Sequence, residues 1–452
     1  MERSTAKLEL VYPHTAGIDI GSERHYVAVG QGKDHVRSFG CFTRDITEMA
    51  SWLKSEGIVS VVMESTGCYW IPVYEILESH GFRVALVNAS HVKNAPGRKS
   101  DVQDCQWLQK IYSVGLLRDS FIPTESIRRL RSYTRLKEDH IRRASSHIQH
   151  MHKAFDQMNI KFHQVLSETT GVSSMKVMKA IVAGERSASA LLSLCTTRIK
   201  NQKESEILQS LEGNYRQEHI FALKQAIAGY EFYMQQVEEC DREIETLLQE
   251  LTATLESSSS DSRGGSSSNR SNALRPLKRI RRRDPGYNLE AQLERLTGGV
   301  NLSVLPGMTA YNSLQLLAEI GTDMSRWPTE KHFTSWLGIS PGSHKSGKKK
   351  GESRTKRLGT SASTILRVAA RNIGRSKTAL GGFYRRISSI KDAPTAITAT
   401  ARKLAVQIYN LLKFKKEYHE YGSKEYEDRY NKLRFKNLEK KADKLGYKLV
   451  KV

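Results

Sequence analysis

Residues 14–30, HTAGIDIGSERHYVAVG, hold two short runs of alternating apolar and polar positions that meet at Gly21-Ser22. Period-two alternation broken by small turn residues predicts a β-hairpin. Residues 47–57, TEMASWLKSEG, switch to a three- and four-residue apolar spacing and end in glycine, which predicts an amphipathic helix with a glycine stop. VSVVMESTG (59–67) reads as a buried strand, YWIPVYEILESHG (69–81) as a helix and FRVALVNAS (82–90) as another strand. Strands alternating with helices predict an α/β sheet covered by helices over the first 124 residues.

The pattern changes near residue 125. SIRRLRSYTRLKEDHIRRASSHIQHMHKAFDQM (126–158) and EHIFALKQAIAGYEFYMQQVEECDREIETLLQEL (218–251) keep helical apolar spacing over many turns, with charge on the remaining faces. They predict an extended helical arm or antiparallel coiled coil over 125–254. ESSSSDSRGGSSSNRSN (256–272) lacks the apolar residues to form a core and reads as a linker. The basic block RPLKRIRRRD (275–284) follows, either as solvated linker or as a phosphate contact, within a 255–297 insertion. A third region, 298–416, begins with LSVLPGMTAYNSLQLLAEIG (302–321), read as helix, tight turn, helix, and closes with a helical pair up to about Lys416. The turn has the form of a helix–hairpin–helix phosphate site, with Thr309 where the second glycine is usual; a purely structural hairpin is equally open. The remainder, 417–452, alternates charge sign and predicts a surface helix.

Composition narrows the partners. Lys plus Arg number 71 against 48 Asp plus Glu, a formal charge of +23, with a pI near 9.7. Such an excess points to a polyanion, of which nucleic acid is the commonest. A membrane surface has no support, because no apolar run approaches the roughly 18 residues of a spanning helix and residues 1–17 show no signal-peptide pattern. The five cysteines, Cys41, Cys68, Cys105, Cys195 and Cys240, are scattered and never form CxxC. Neither disulfide framework nor zinc site is indicated, and a reduced, cytoplasmic protein is expected.

Against this basic background the acidic residues stand out. RKSDVQDCQWL (98–108) sets Asp101 and Asp104 three positions apart at a helix start, where like charges are neighbours and repel. They follow the third or fourth strand of the reading. Asp19 lies within the first strand and Glu64 closes the strand VVMESTG. Functional groups of α/β sheets gather at such strand ends. Four carboxylates from three segments could bind two Mg²⁺ ions roughly 3.5–4 Å apart that act on a phosphodiester, Mn²⁺ being an alternative. The metal would offset the repulsion. The structural alternatives are ordinary: Asp101 as a helix N-cap, Glu64 capping the next helix, Asp19 as a turn residue.

GIDIGSERHYVAV, MESTGCYWIPVYEIL and RKSDVQDCQWLQKI resemble the three segments of the RuvC-like (RNase H-like) DEDD domain of insertion sequence 110 family transposases. LPGMTAYNSLQLLAEIG, SWLGISPGSHKSGKKKG and ARKLAVQIYNLL are similar to the same family's C-terminal, mostly α-helical transposase domain. The likeness covers residues 12–125 and 298–416, with the helical middle following only loosely. It implies that Asp19, Glu64, Asp101 and Asp104 form the DEDD set and that Ser346 is a nucleophile, Ser343 and Ser340 being nearby alternatives. Chemically, a serine hydroxyl needs activation or a polarised phosphorus. Lys345, Lys348, Lys349, Lys350, Arg354, Lys356 and Arg357 would hold the scissile phosphate. The resemblance further implies an RNA-guided DNA recombinase of an insertion sequence. Its partners would be double-stranded donor and target DNA, an element-encoded bridge RNA and further copies of the chain, as dimers pairing into a tetramer with carboxylates of one subunit facing Ser346 of another. A prokaryotic, nucleoid-associated location follows. Two rivals remain: a metal-dependent junction nuclease in which water attacks, and a non-catalytic nucleic-acid scaffold.

Overall fold

The computed structural model describes residues 9–65, 67–88, 100–166, 168–260, 285–342, 345–346, 349–350, 355, 359–420, 422–448 and 450, with backbone alone for 255–260, 345–346 and 349–350. Two compact units divide at Ile122/Pro123.

The first unit is a five-stranded mixed sheet in the order β3-β2-β1-β4-β5. Strands β1 (Thr15–Ile20), β2 (Arg24–Ala28) and β3 (Val36–Gly40) form an antiparallel meander. β4 (Ser60–Glu64) and β5 (Arg83–Val87) run parallel to β1. Helices α1 (Thr43–Ser55) and α2 (Trp70–Ser79) are the crossovers, and both stop before a glycine in the left-handed region, Gly57 and Gly81. Alternation along β1 sends Ala16, Ile18 and Ile20 into a core with Met49, Leu53, Val73 and Leu77 of the two helices. The opposite face carries a smaller core of Val62, Ala85 and Val87 against Leu108, Ile111 and Tyr112 of α3 (Asp101–Ser113).

The sequence reading missed β3. With only Phe39 buried among Val36–Gly40, an edge strand of this kind has no alternation to read. Its presence makes α3 follow the fifth strand, not the third or fourth.

The second unit begins with α4 (Glu125–Gln157), which packs antiparallel on α9 (Gln217–Ser260). The pairing is recorded by Arg129–Glu250 at 3.5 Å, Lys137–Asp241 at 2.5 Å and the stacked rings of His147 and Tyr233. α9 runs through Ser260, past the expected end of the arm at residue 254. Between the long helices, α5 (Phe162–Val165), α6 (Val172–Ala183), α7 (Ala188–Ser193) and α8 (Thr197–Ser210) close one end of the pair around Phe155, Met178, Ile181 and Ile207. α5 and α7 carry too few turns to announce themselves by periodicity, and α8 is broken by a non-helical residue at Lys203.

After α10 (Leu289–Leu296), residues Leu302–Val304 make only one 3₁₀ turn where a helix was expected. Thr309 caps α11 (Ala310–Ile320), its hydroxyl accepting from the Asn312 amide at 3.1 Å, a structural reason for threonine at that position. α11 is tied to α4: Arg131 donates to the Ala318 and Glu319 carbonyls, and Arg135 meets the Glu319 carboxylate through two bonds of 2.8 and 2.9 Å. Beyond α12 (Glu330–Trp336), the expected helical pair is three helices, α13 (Ser361–Ile373), α14 (Ala379–Ile390) and α15 (Ala393–Phe414). Thr378 and Asp392 cap the second and third, separating what reads in sequence as one stretch. α16 (Ser423–Lys444) buries no residue of its own and rides on α14 through a 2.9 Å bond from Arg386 Nε to the Tyr426 hydroxyl. Among the described residues no helix is long and apolar enough to cross a membrane.

Candidate functional site

Two groups of candidate residues lie in different units and are taken separately. In the first unit, β1 and β4 are parallel neighbours in the register Ile18↔Met63, so Asp19 and Glu64 come next to each other at the carboxyl ends of both strands. Because Ile18 and Met63 point into the core under α1 and α2, Asp19 and Glu64 take the opposite face, the one α3 covers. Gly17, two positions before Asp19, sets how closely α3 can lie. A Cβ there would stand 2.5 Å from the Gln109 amide nitrogen and closer still to the Cys105 carbonyl oxygen. Helix backbone therefore rests directly on strand backbone, which brings the first turn of α3, with Asp101 and Asp104, beside Asp19.

The ordinary explanations for these acids do not apply. The N-cap of α3 is Ser100, whose hydroxyl accepts from the Gln103 amide at 3.4 Å, not Asp101. α2 starts at Trp70, with Tyr69 at its cap position, so Glu64 caps nothing. Asp19 sits inside β1 and not in a turn.

Electrostatically the group is strained. Burial pushes the Asp19 carboxyl up to about 6, and the charges of Asp101, Asp104 and Glu64 add to the rise, with a backbone hydrogen bond at Ile20 opposing it. The Cys105 thiol, buried under the same acids, is pushed up to about 12, by burial first and by Asp19 next. That rise makes Cys105 a packing residue and not a thiolate. Three carboxylates acting on a fourth make a center of negative charge, and an all-oxygen donor set suits a hard divalent cation. Among the described residues, however, no three His, Cys, Asp or Glu side chains converge tightly enough to hold a metal ion. Asp19 feels the charges of Asp101, Asp104 and Glu64, without the four forming a closed coordination shell.

In the second unit the candidate serine lies in a small hairpin. The chain leaves α12 through a left-handed Gly338 and the buried Ile339. Pro341 then bridges to Thr355 across the loop in antiparallel fashion. Within the loop β6 (Lys345–Ser346) pairs with β7 (Lys349–Lys350), placing Lys345 opposite Lys350 and Ser346 opposite Lys349. The backbone thus collects Ser346, Lys345, Lys349 and Lys350, and their side chains are outside the description. Lys348, Arg354, Lys356, Arg357 and Ser343 lie outside the described residues. Ser340 donates to the Thr334 hydroxyl at 2.8 Å, an engagement that holds it at the end of α12.

Reading the chain alone overlooked Gly17, Ser100 and a group of cations near the hairpin, Arg386, Arg402 and Lys403. Gly17 carries no sequence signal beyond a small residue in a strand. The stripe Thr395, Thr398, Arg402, Val406 does have helical spacing and could have been found.

Residues 16–160 match the family model for the DEDD transposase of insertion sequence 110 elements, and residues 300–385 match that of the transposase IS116/IS110/IS902 family. The first match contains all four carboxylates and the second contains the hairpin. No curated protein matches the chain.

Proposed function

The chain belongs to the insertion sequence 110 family of transposases, DNA recombinases of insertion sequences, and from this we propose that it cuts and rejoins DNA through a serine–DNA intermediate under RNA guidance. The observation that carries the reading is the gathering of Asp19 and Glu64 on the sheet face where α3 presents Asp101 and Asp104. Asp101 and Glu64 cap no helix and Asp19 lies in no turn, and burial, followed by the charges of Asp101, Asp104 and Glu64, raises the proton affinity of Asp19.

Ser346 is the proposed nucleophile. Its Oγ forms a bond to phosphorus while one P–O bond to deoxyribose breaks. The hydroxyl proton departs and the released deoxyribose oxygen takes one up. Rejoining runs in reverse: a deoxyribose hydroxyl attacks the serine phosphodiester and Ser346 regains its proton, so bond energy is conserved without ATP. Lys345, Lys348, Lys349, Lys350, Arg354, Lys356 and Arg357 would hold the phosphate and offset the charge that develops on its oxygens. Asp19, Glu64, Asp101 and Asp104 would hold Mg²⁺, two ions or Mn²⁺ in their place. Such a cation, when bound, supplies Lewis-acid stabilisation of the phosphoryl oxygens.

The charge of +23 supports nucleic acid as the main partner. A guide RNA that pairs with donor and target DNA would leave the protein to read backbone and shape. Exchange of strands between two duplexes calls for several subunits, dimers pairing into a tetramer, with the helical arm supplying contacts.

The test is denaturing electrophoresis of protein mixed with nicked DNA carrying the element's ends, followed by mapping of the DNA-linked peptide. A linked peptide spanning SHKSGK in the wild type, lost in Ser346→Ala, is the expected outcome. Full joining by Ser346→Ala, or an adduct at Ser343, removes Ser346 from the role. Cleavage with no adduct turns the reading to a metal-dependent nuclease. RNA that co-purifies and supports joining of two DNAs is expected; joining that survives ribonuclease ends the guidance claim.

A further inference from the structure

A cavity of about 920 Å³ opens at the foot of the serine hairpin. Pro341 and Thr355, the bridged pair that closes the loop carrying Ser346, form one wall. Phe383 of α14 and the stripe Thr398, Arg402, Lys403 of α15 form the other. Spacing of three and four residues keeps Thr395, Thr398, Arg402 and Val406 on one side of that helix.

Its deep wall is rich in cations. The Arg402 Nε–H is buried with no hydrogen-bond partner. Lys403 holds its Nζ 4.6 Å from the center of the Phe383 ring, and the Arg386 guanidinium lies 5.4 Å from the same center. Among the described residues none of Arg386, Arg402 and Lys403 forms an ion pair. Burial first, then the charges of Arg386 and Arg402, hold the Lys403 ammonium below its usual proton affinity, although part of the side chain still reaches solvent. Three cations that repel one another, one with an unanswered N–H, are the counterpart of the acidic group on the sheet. They call for an anion. A tetrahedral phosphate ester suits a guanidinium fork flanked by an ammonium and a threonine hydroxyl. Glu330 and Lys331 of α12 also line the cavity.

We propose that this cavity seats a DNA backbone phosphate next to the one Ser346 attacks, with Arg402 and Lys403 as positioning residues. The placement relative to the reaction rests on the assignment of Ser346 above; the phosphate site itself does not. The loop that carries the serine shares its two end residues with the cavity wall. A strand gripped there is held at the hairpin's base, which fixes the approach of its next phosphodiester.

The experiment uses the full chain and a fluorescent nicked duplex bearing the element's ends. Arg402→Gln and Lys403→Gln each lower affinity, and the double variant lowers it about tenfold and flattens the slope of log K against log salt by about 0.9, the value for one lost phosphate contact. Arg402→Lys restores part of the affinity, and melting temperatures stay near the wild type. A second series places one neutral methylphosphonate at successive positions from the cut. At the seated phosphate the wild type loses affinity by the same factor as the Arg402→Gln/Lys403→Gln double variant, and the double variant loses nothing more. Wild-type affinity and salt slope in both variants, with a Ser346 adduct still formed, overturn the cavity and leave the serine reading intact. Weakened DNA binding in the variants with no serine adduct in the wild type supports the phosphate site and ends its link to Ser346. A loss confined to structured RNA, with DNA affinity unchanged, overturns the assignment to DNA. Should Arg402→Gln fail to fold, Lys403→Gln, at the more exposed position, carries the same test.

Discussion

Gly17→Ala is the smallest change that strikes the acidic site without touching an acid. An alanine Cβ at this position would lie 2.5 Å from Gln109 N and nearer to Cys105 O. Both are main-chain atoms, so no rotamer change relieves the clash. Ordinary contact needs roughly 3.5 Å, and α3 must therefore lift from β1 by about 1 Å. Overpacking of this kind costs about 1–3 kcal/mol, and each kcal/mol lowers the midpoint by roughly 4–8 °C in a unit of this size. The same lift carries Asp101 and Asp104 away from Asp19 and Glu64. A displacement near 1 Å in a catalytic array costs on the order of 10²-fold in rate. Melting of the variant and a DNA-joining assay at fixed Mg²⁺ read the two effects, while DNA affinity serves as the control and stays unchanged. If Gly17→Ala melts and joins like the wild type, the strand–helix contact does not set the site and the argument from backbone approach fails.

Two further outcomes are expected. Asp19→Asn, Glu64→Gln, Asp101→Asn and Asp104→Asn each reduce joining by about 10²-fold or more, and chelation does the same to the wild type; because Asp19 is charged against burial and three acids, Asp19→Asn melts no lower than wild type in chelator. Robust joining in excess EDTA would falsify the metal reading. In the helical arm, Lys137 and Asp241 pair at 2.5 Å with side chains 0% and 7% exposed, so Lys137→Met, which strips a buried acid of its cation, costs about 3–5 kcal/mol. The double variant Lys137→Met/Asp241→Leu recovers most of that in urea unfolding, and equal losses in single and double variants would show the pair to be incidental.

Much of this molecule is written in local pattern. Alternation in Thr15–Ile20 and Ser60–Glu64, the glycine stops at Gly57 and Gly81 and the long apolar stripes of α4 and α9 are properties of a few consecutive residues. They locate strands, helices and the arm without reference to anything distant. The acids were legible too, as charges placed against an otherwise basic composition at strand ends and a helix start. Elements stabilised from outside were not legible. β3 exists because β2 offers it a ladder and Phe39 finds a core, and α5 and α7 are held by packing that each is too short to encode. The same division runs through the site. Sequence supplied four carboxylates in three places. Only the fold turned Asp19 and Glu64 to one face, laid α3 on Gly17 and thereby brought the charges of Asp101, Asp104 and Glu64 to bear on Asp19. It also drew Arg386 from one helix and Lys403 from the next onto a single phenylalanine ring. Charge and hydrogen-bond demand depend on distances through space, and those are settled by which backbones approach closely, a property of the packed chain and not of any one segment.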